Sequence, residues 1–199
     1  MPRSQRRAQL VDISRDVFVE HGYHAASMDE IAERAGVSKP VLYQHFPSKL
    51  SLYTALVEEA CDEVIAAIGA ALTSTTDNAA RVLATINVWY DYVAEEGQAF
   101  RLIFESDLTN DPRIRELLDR VNNESAAAIA EVIAEDTSIS EDAALLLAAS
   151  LVGGGHVSAR TWISSGSQLS KDEAVALAST LLWRGIAGFP KTVTTHTAD

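Results

Sequence analysis

A single cysteine, Cys61, occurs in the 199 residues, which excludes an intramolecular disulfide and a thiolate zinc cluster, since each needs several sulfurs. That usage fits a reducing cytosol. Glycine and proline are scarce, at ten and five positions, and collagen-like or low-complexity classes are excluded with them. No run of 18 uncharged apolar residues occurs, so no membrane-spanning segment is expected. The basic start, with Arg3, Arg6 and Arg7, leads into an amphipathic segment without an apolar h-region, and a secretory signal is not expected either. Runs of alternating β-branched residues, the mark of strands, are missing as well.

What remains is apolar at 47% of positions and charged at 22%. A chain of this length buries about 70% of its unfolded surface, enough for a core without staples. Positive charge is in deficit, the net being −12, and phosphate binding runs on Lys and Arg displacing counterions. The deficit is uneven. Residues 1–50 carry a net charge of +1 and residues 51–199 carry −13. Exposed charges are screened beyond about 8 Å, so an acidic body held away from DNA does not veto binding by the first fifty residues.

Helical periodicity runs almost from end to end, predicting an all-α fold of about nine helices. The first, carrying Leu10, Val11, Ile13, Val17 and Phe18 on one face, is expected to stop at Gly22 in a left-handed cap. Ser27-Met28-Asp29-Glu30 reads as a capping box opening a second helix that ends at Ala35-Gly36. Ser38 caps a third, with Pro40 tolerated in its first turn. A long helix over 48–72 follows, then helices at about 78–95, 98–107, 112–135 and 140–165. A second capping box, Ser170-Lys171-Asp172-Glu173, opens the last, expected to stop at Gly188-Phe189-Pro190. The division expected is a DNA-binding unit at 1–50, a helical body at 51–190 and a tail at 191–199.

Residues 27–46 carry the functional signal. Two short helices meet at a tight glycine turn, braced by a preceding helix: a helix-turn-helix. Ile31, Val37 and Leu42 fill its small core. Its second helix would enter the major groove, presenting Ser38, Lys39, Pro40, Val41, Tyr43, Gln44 and His45. Ser38 and the amides beside it suit a phosphate; Lys39 suits a guanine edge or a phosphate, Gln44 an adenine, and Val41 a thymine methyl. Tyr43, His45 and Lys49 suit phosphate oxygens.

The ordered string Ser27-Met28-Asp29-Glu30-Ile31-Ala32, Ala35-Gly36-Val37-Ser38, Leu42-Tyr43-Gln44-His45-Phe46 and Ser48-Lys49-Leu50 resembles the TetR family of bacterial transcriptional regulators. The resemblance is dense over residues 10–58. It implies operator contacts at Ser27, Lys39, Pro40, Tyr43, His45 and Lys49; Val41 departs from the hydroxyl or glycine common there. Beyond residue 60 the resemblance is architectural. It implies a dimerising helical body enclosing an effector cavity, with the ligand shifting the long helix and so the spacing of two reading heads.

Independent candidates for an effector site are Trp89, Tyr92, Phe100, Phe104, His156, Arg160 and Trp162, an aromatic-rich set suited to a mostly apolar cavity. Ordinary core packing accounts for the same residues. Leu147, Leu151, Gly154, Ser158, Leu177, Leu181 and Arg184 recur at helical spacing on the last two helices and are expected at a dimer interface. The run Gly153-Gly154-Gly155 is read as a close approach across a two-fold axis or a kink. His21 and His24 lack a third ligand, so no metal site is expected, and no nucleophile elbow or cofactor motif occurs. The expectation is a cytoplasmic homodimeric repressor released from a palindromic operator by a small-molecule effector, with no cofactor and no membrane partner. The alternatives are an effector-independent or activating DNA binder, and a helical carrier or enzyme whose first helices only pack.

Overall fold

The computed structural model describes residues 2–94, 108 and 111–185. All regular structure there is α-helical, in eight helices: α1 Arg3–Ala25, α2 Met28–Arg34, α3 Lys39–His45, α4 Lys49–Thr73, α5 Asn78–Ala94, α6 Pro112–Asp136, α7 Glu141–Ser164 and α8 Lys171–Arg184. The helix expected at 98–107, with Phe100 and Phe104, and the tail at 191–199 lie outside the described residues.

The local rules hold with three corrections. Gly22 interrupts the first helix, but at φ 73 and ψ 167, and the chain regains a helical turn as far as Ala25. That is an extended positive-φ conformation open essentially to glycine alone, a stricter demand than the left-handed cap expected. The expected box at Ser27 is half formed. Ser27 Oγ accepts from the amides of Asp29 and Glu30, while Glu30 turns its carboxylate to Arg34 and His21. The last helix ends at Arg184 on Gly185, with φ 66, rather than at Gly188. The box at Ser170 and Glu173 is complete, and Ser48 with Ser51 forms another that opens α4.

One continuous apolar core joins the two ends of the molecule. Helix α4 is its spine: Tyr53 meets Phe18 edge-on at 5.1 Å and Tyr23 at 5.1 Å, closing the head, while Val64 and Ile68 belong to the body. Helices α6 and α7 pack along each other, and α5 lies against α4, α7 and α8. Helix α7 runs through Gly153, Gly154 and Gly155 without a break. By length and composition α7 is apolar enough to cross a membrane. Its inner face, with Ala144, Ala148, Val152 and Ala159, is instead buried in the helical body.

Candidate nucleic-acid interface and effector cavity

The three short segments of the head set out a reading surface. Leu42 is the one residue of α3 that is fully buried, and Ile31, Ala32 and Ala35 beneath it close the small core. With a single anchor inward, the rest of α3 faces out: Ser38, Lys39, Pro40, Tyr43 and Gln44 are exposed, and Val41 and His45 half-buried. Ser38 stands at the N-cap without a side-chain capping bond, so its hydroxyl is not committed to the helix as expected. Ser27 is exposed but holds the first amides of α2.

Two expected contacts are engaged within the chain. Lys39 Nζ lies 2.6 Å from Asp29 Oδ2, with both side chains about 60% exposed, a solvated pair that phosphate or base can displace at small cost. Lys49 donates to the carbonyls of His24 and Ala26 at 3.0 and 2.9 Å and sits 4.7 Å over the Tyr23 ring. It ties the α1–α2 connection to the start of α4. Behind this surface Arg34 donates to Glu20 and Glu30, and that pairing holds the Glu20 carboxyl below its usual range.

Sequence reasoning missed the part played by the first turns of α1. Arg3 and Arg6 border a surface groove of about 500 Å³ together with Val41, Gln44 and His45, and Arg7 stacks 4.3 Å over Phe46. The basic cluster at positions 3, 6 and 7 thus flanks α3. Its signal, three arginines close together, was legible only as part of the net positive charge of residues 1–50.

In the body, the aromatic candidates are mostly core. Trp89 and Tyr92 are buried; His156 packs 5.7 Å from Trp89, where burial pushes the imidazole below its ordinary value, followed by the Arg160 charge. Arg160 is exposed. Trp162 packs against Tyr90 at 5.6 Å with the rings tilted by 40° and donates its indole N–H to the Leu169 carbonyl. An apolar cavity of about 490 Å³ lies elsewhere, between the ends of α4, α5 and α6 and the flanks of α7 and α8. Among the described residues, none of those expected at the effector site lines it. Leu147, Leu151 and Leu181, expected at the dimer interface, do. Gly154 faces inward as well: a Cβ there would meet Leu182 at 2.7 Å, and one at Gly155 would meet Trp89 and Ile86 at 2.8 and 2.9 Å. These two glycines therefore allow close approach of α8 and α5 within the chain, where a two-fold contact or a kink was expected. Gly153 meets nothing. Ser158 bonds Gly155 O, and Leu177 and Arg184 are exposed. Cys61 is fully buried, its thiol pushed up to about 12 by desolvation, which removes it as a reactive thiolate.

Residues 10–56 match the model of bacterial regulatory proteins of the tetR family. The HTH-type transcriptional activator FasR of Mycolicibacterium smegmatis is 39% identical over 192 residues, 96% of this chain and 88% of that protein. Among solved structures, a TetR-like transcriptional regulator from Rhodococcus sp. RHA1 superposes with a TM-score of 0.71 at 25% identity, over 95% of this chain and all of the other. The FadR regulator of Bacillus subtilis, solved with stearoyl-CoA, superposes at 0.69 with 21% identity, over 90% and 98% of the two chains.

Proposed function

This chain belongs to the tetR family of bacterial regulatory proteins and is a DNA-binding transcriptional regulator, not an enzyme, and we propose that it acts as a cytoplasmic homodimer whose hold on a palindromic operator is set by a long-chain acyl effector. The observation that carries the DNA part is α3 itself: one leucine anchors it, and Lys39, Pro40, Tyr43 and Gln44 project from the outward face between flanking arginines. Tyr43 and His45 hold phosphates and fix register, Gln44 and Lys39 meet base edges, and Val41 and Pro40 meet the groove floor.

One seven-residue helix reads too few base pairs to address a genome. Two of them about 34 Å apart read successive turns of a palindrome. The dimer is supported by the outward faces of α7 and α8, where Leu146 is 70% exposed and Val157 57%, with Leu177, Leu181 and Trp183 beside them. A contiguous apolar face of that kind marks an interface, and a second copy covers it. Gly153, open on that side, admits a partner backbone.

For the effector, support comes from an apolar cavity in the body and from the stearoyl-CoA complex of the Bacillus subtilis neighbour. Occupancy of an operator overlapping a promoter represses and occupancy upstream can activate; the FasR relative is named an activator. Fluorescence anisotropy on the gene's own upstream DNA tests the reading. Sequence-specific binding is expected to fall at least about tenfold in Lys39→Ala and in Tyr43→Phe, since each removes a hydrogen bond in which one partner is charged. Unchanged binding in both variants overturns the assignment of α3.

A further inference from the structure

A carboxylate stands on the surface that α3 turns to DNA. Asp29 lies in the first turn of α2, two residues after Ser27, where the family resemblance implies an operator contact. It is exposed, and its Oδ2 accepts from Lys39 Nζ at 2.6 Å. Phosphates repel a carboxylate, so its place there needs a physical reason. An acid is favourable in the first turn of a helix, but Glu30 already supplies one. The helix dipole does not account for a carboxylate engaged with the one lysine of α3.

The other cations of the head are disposed differently. Arg34, behind the surface, is shared between Glu20 and Glu30, and Lys49 is held by backbone carbonyls. Arg3 and Arg6 border the groove beside Gln44 and His45. Arg6 donates to the neutral amide of Gln9 at 2.9 Å and Arg7 lies over Phe46; among the described residues no carboxylate takes the charge of these three. The flank of α3 is thus openly cationic, while its own lysine is neutralised. Seen from a phosphate about 8 Å away, opposite charges offset by 2.6 Å leave at most about a quarter of the attraction of the ammonium alone. A phosphate that takes the ammonium from Asp29 leaves a bare carboxylate beside a polyanion, and little is gained. A guanine edge is different. An ammonium has three donors, and with one on Asp29 two remain for O6 and N7. The ion pair then survives in the complex, and the flexible stem of Lys39 is held in place beforehand.

Resting on the reading of α3 as the helix that meets base edges, we propose that Asp29 is a positioning residue for Lys39 and sets the preference for operator over other DNA. It cancels the lysine charge toward phosphates, which every sequence offers. It leaves the same ammonium usable toward a guanine edge, which only certain sequences offer at that place. Attraction to the backbone is left to the arginines at the flank, and the centre of the surface discriminates. Lys39 thereby adds to operator affinity without adding to affinity for the rest of the genome, against which any regulator competes.

The test uses the full chain and anisotropy on two labelled duplexes of equal length, the gene's own upstream DNA and an unrelated sequence, between about 50 and 200 mM salt. Asp29→Asn removes the charge and leaves the Ser27 cap in place. It is expected to raise affinity for unrelated DNA about fivefold more than affinity for upstream DNA, and to steepen the salt slope on unrelated DNA by about 0.9, one counterion released. Asp29→Glu restores the carboxylate and is expected to keep the wild-type preference and slope. In a Lys39→Met background, Asp29→Asn is expected to change the preference less than about twofold, because the pair it acts through is gone. Glu33→Gln removes an equal charge one turn along α2 and is expected to raise both affinities alike. Should Asp29→Asn fail to fold, Lys39→Met alone decides the matter. It is expected to lower upstream affinity at least about tenfold and to leave affinity and slope on unrelated DNA as in the wild type. A fall of about 0.9 in that slope places the ammonium on phosphate and overturns the inference. An equal rise on both duplexes in Asp29→Asn, or an effect that persists in Lys39→Met, overturns it as well and leaves the reading of α3 standing. Wild-type chain that prefers neither duplex removes both.

Discussion

Lys49 stands where the family resemblance implies a phosphate contact and already has partners within the chain. Its three donors have two backbone carbonyls and an aromatic face within reach, and all three lie at the α1–α2 connection, where Gly22 has set the chain direction. Lys49→Met keeps the aliphatic stem and removes the charge. The expected loss is about 1 kcal/mol after allowance for partial exposure, a fall in Tm of about 2–4 °C. If Lys49 is a brace, the salt dependence of DNA binding stays as in the wild type; a residue bound to phosphate would lower the slope by about one. Thermal melts and a salt titration of DNA affinity read both quantities.

At the scale of the element, α7 separates two reasons for glycine. Gly155→Ala places a methyl against Trp89 and Ile86, and overpacking of that kind costs about 1–3 kcal/mol. Gly153→Ala meets open space and is expected to stabilise the helix by about 1 kcal/mol, while weakening self-association if a second copy packs there. Melting curves with light scattering across a dilution series distinguish the two. On the inner side of the same helix, His156 is held neutral by burial against Trp89, with Arg160 one turn away. Its folded value is depressed, so the unfolded chain takes up the proton first. Stability is therefore expected to fall as pH drops below about 6.5, the ordinary value, and on down through the folded one. His156→Leu removes that slope, as Tm measured between about pH 7.5 and 5 would show.

The elements were legible because each carries a local cause: Ser48, Ser140 and Ser170 at N-caps, Asp111 before Pro112, apolar residues at helical spacing. The head was legible in detail, since Ile31, Gly36 and Leu42 leave its turn few alternatives. What the sequence concealed is three-dimensional juxtaposition. Nothing in the spacing of Arg81 and Asp136, 55 residues apart, announces that they pair and border one cavity. The spacing of Trp89 and His156 likewise does not say that their rings pack 5.7 Å apart. Periodicity shows that Leu147, Leu151 and Leu181 lie on apolar faces without showing that they also border a cavity.

For the whole molecule, the charge division sets the terms of DNA binding. The first fifty residues are nearly neutral in sum and the remainder strongly acidic, so the favourable field is confined to a few arginines and lysines on the head. Replacing both Arg3 and Arg6 by Gln is expected to reduce the slope of log affinity against log salt by about 1.8, the release of two counterions. Sequence discrimination should remain, because neither side chain reaches a base in this reading. Anisotropy between about 50 and 200 mM salt, on operator and on unrelated DNA, measures both.

Twenty-five residues of unbroken helix in α4 span about 37 Å at 1.5 Å per residue. Mechanically it is a lever with a short tether at one end and a reading surface at the other. A tilt of about 5° displaces the far end by about 3 Å, beyond the reach of a hydrogen bond whose useful range is a few tenths of an ångström. A small tilt of α4 within the body would thus move the reading surface further than base contacts tolerate.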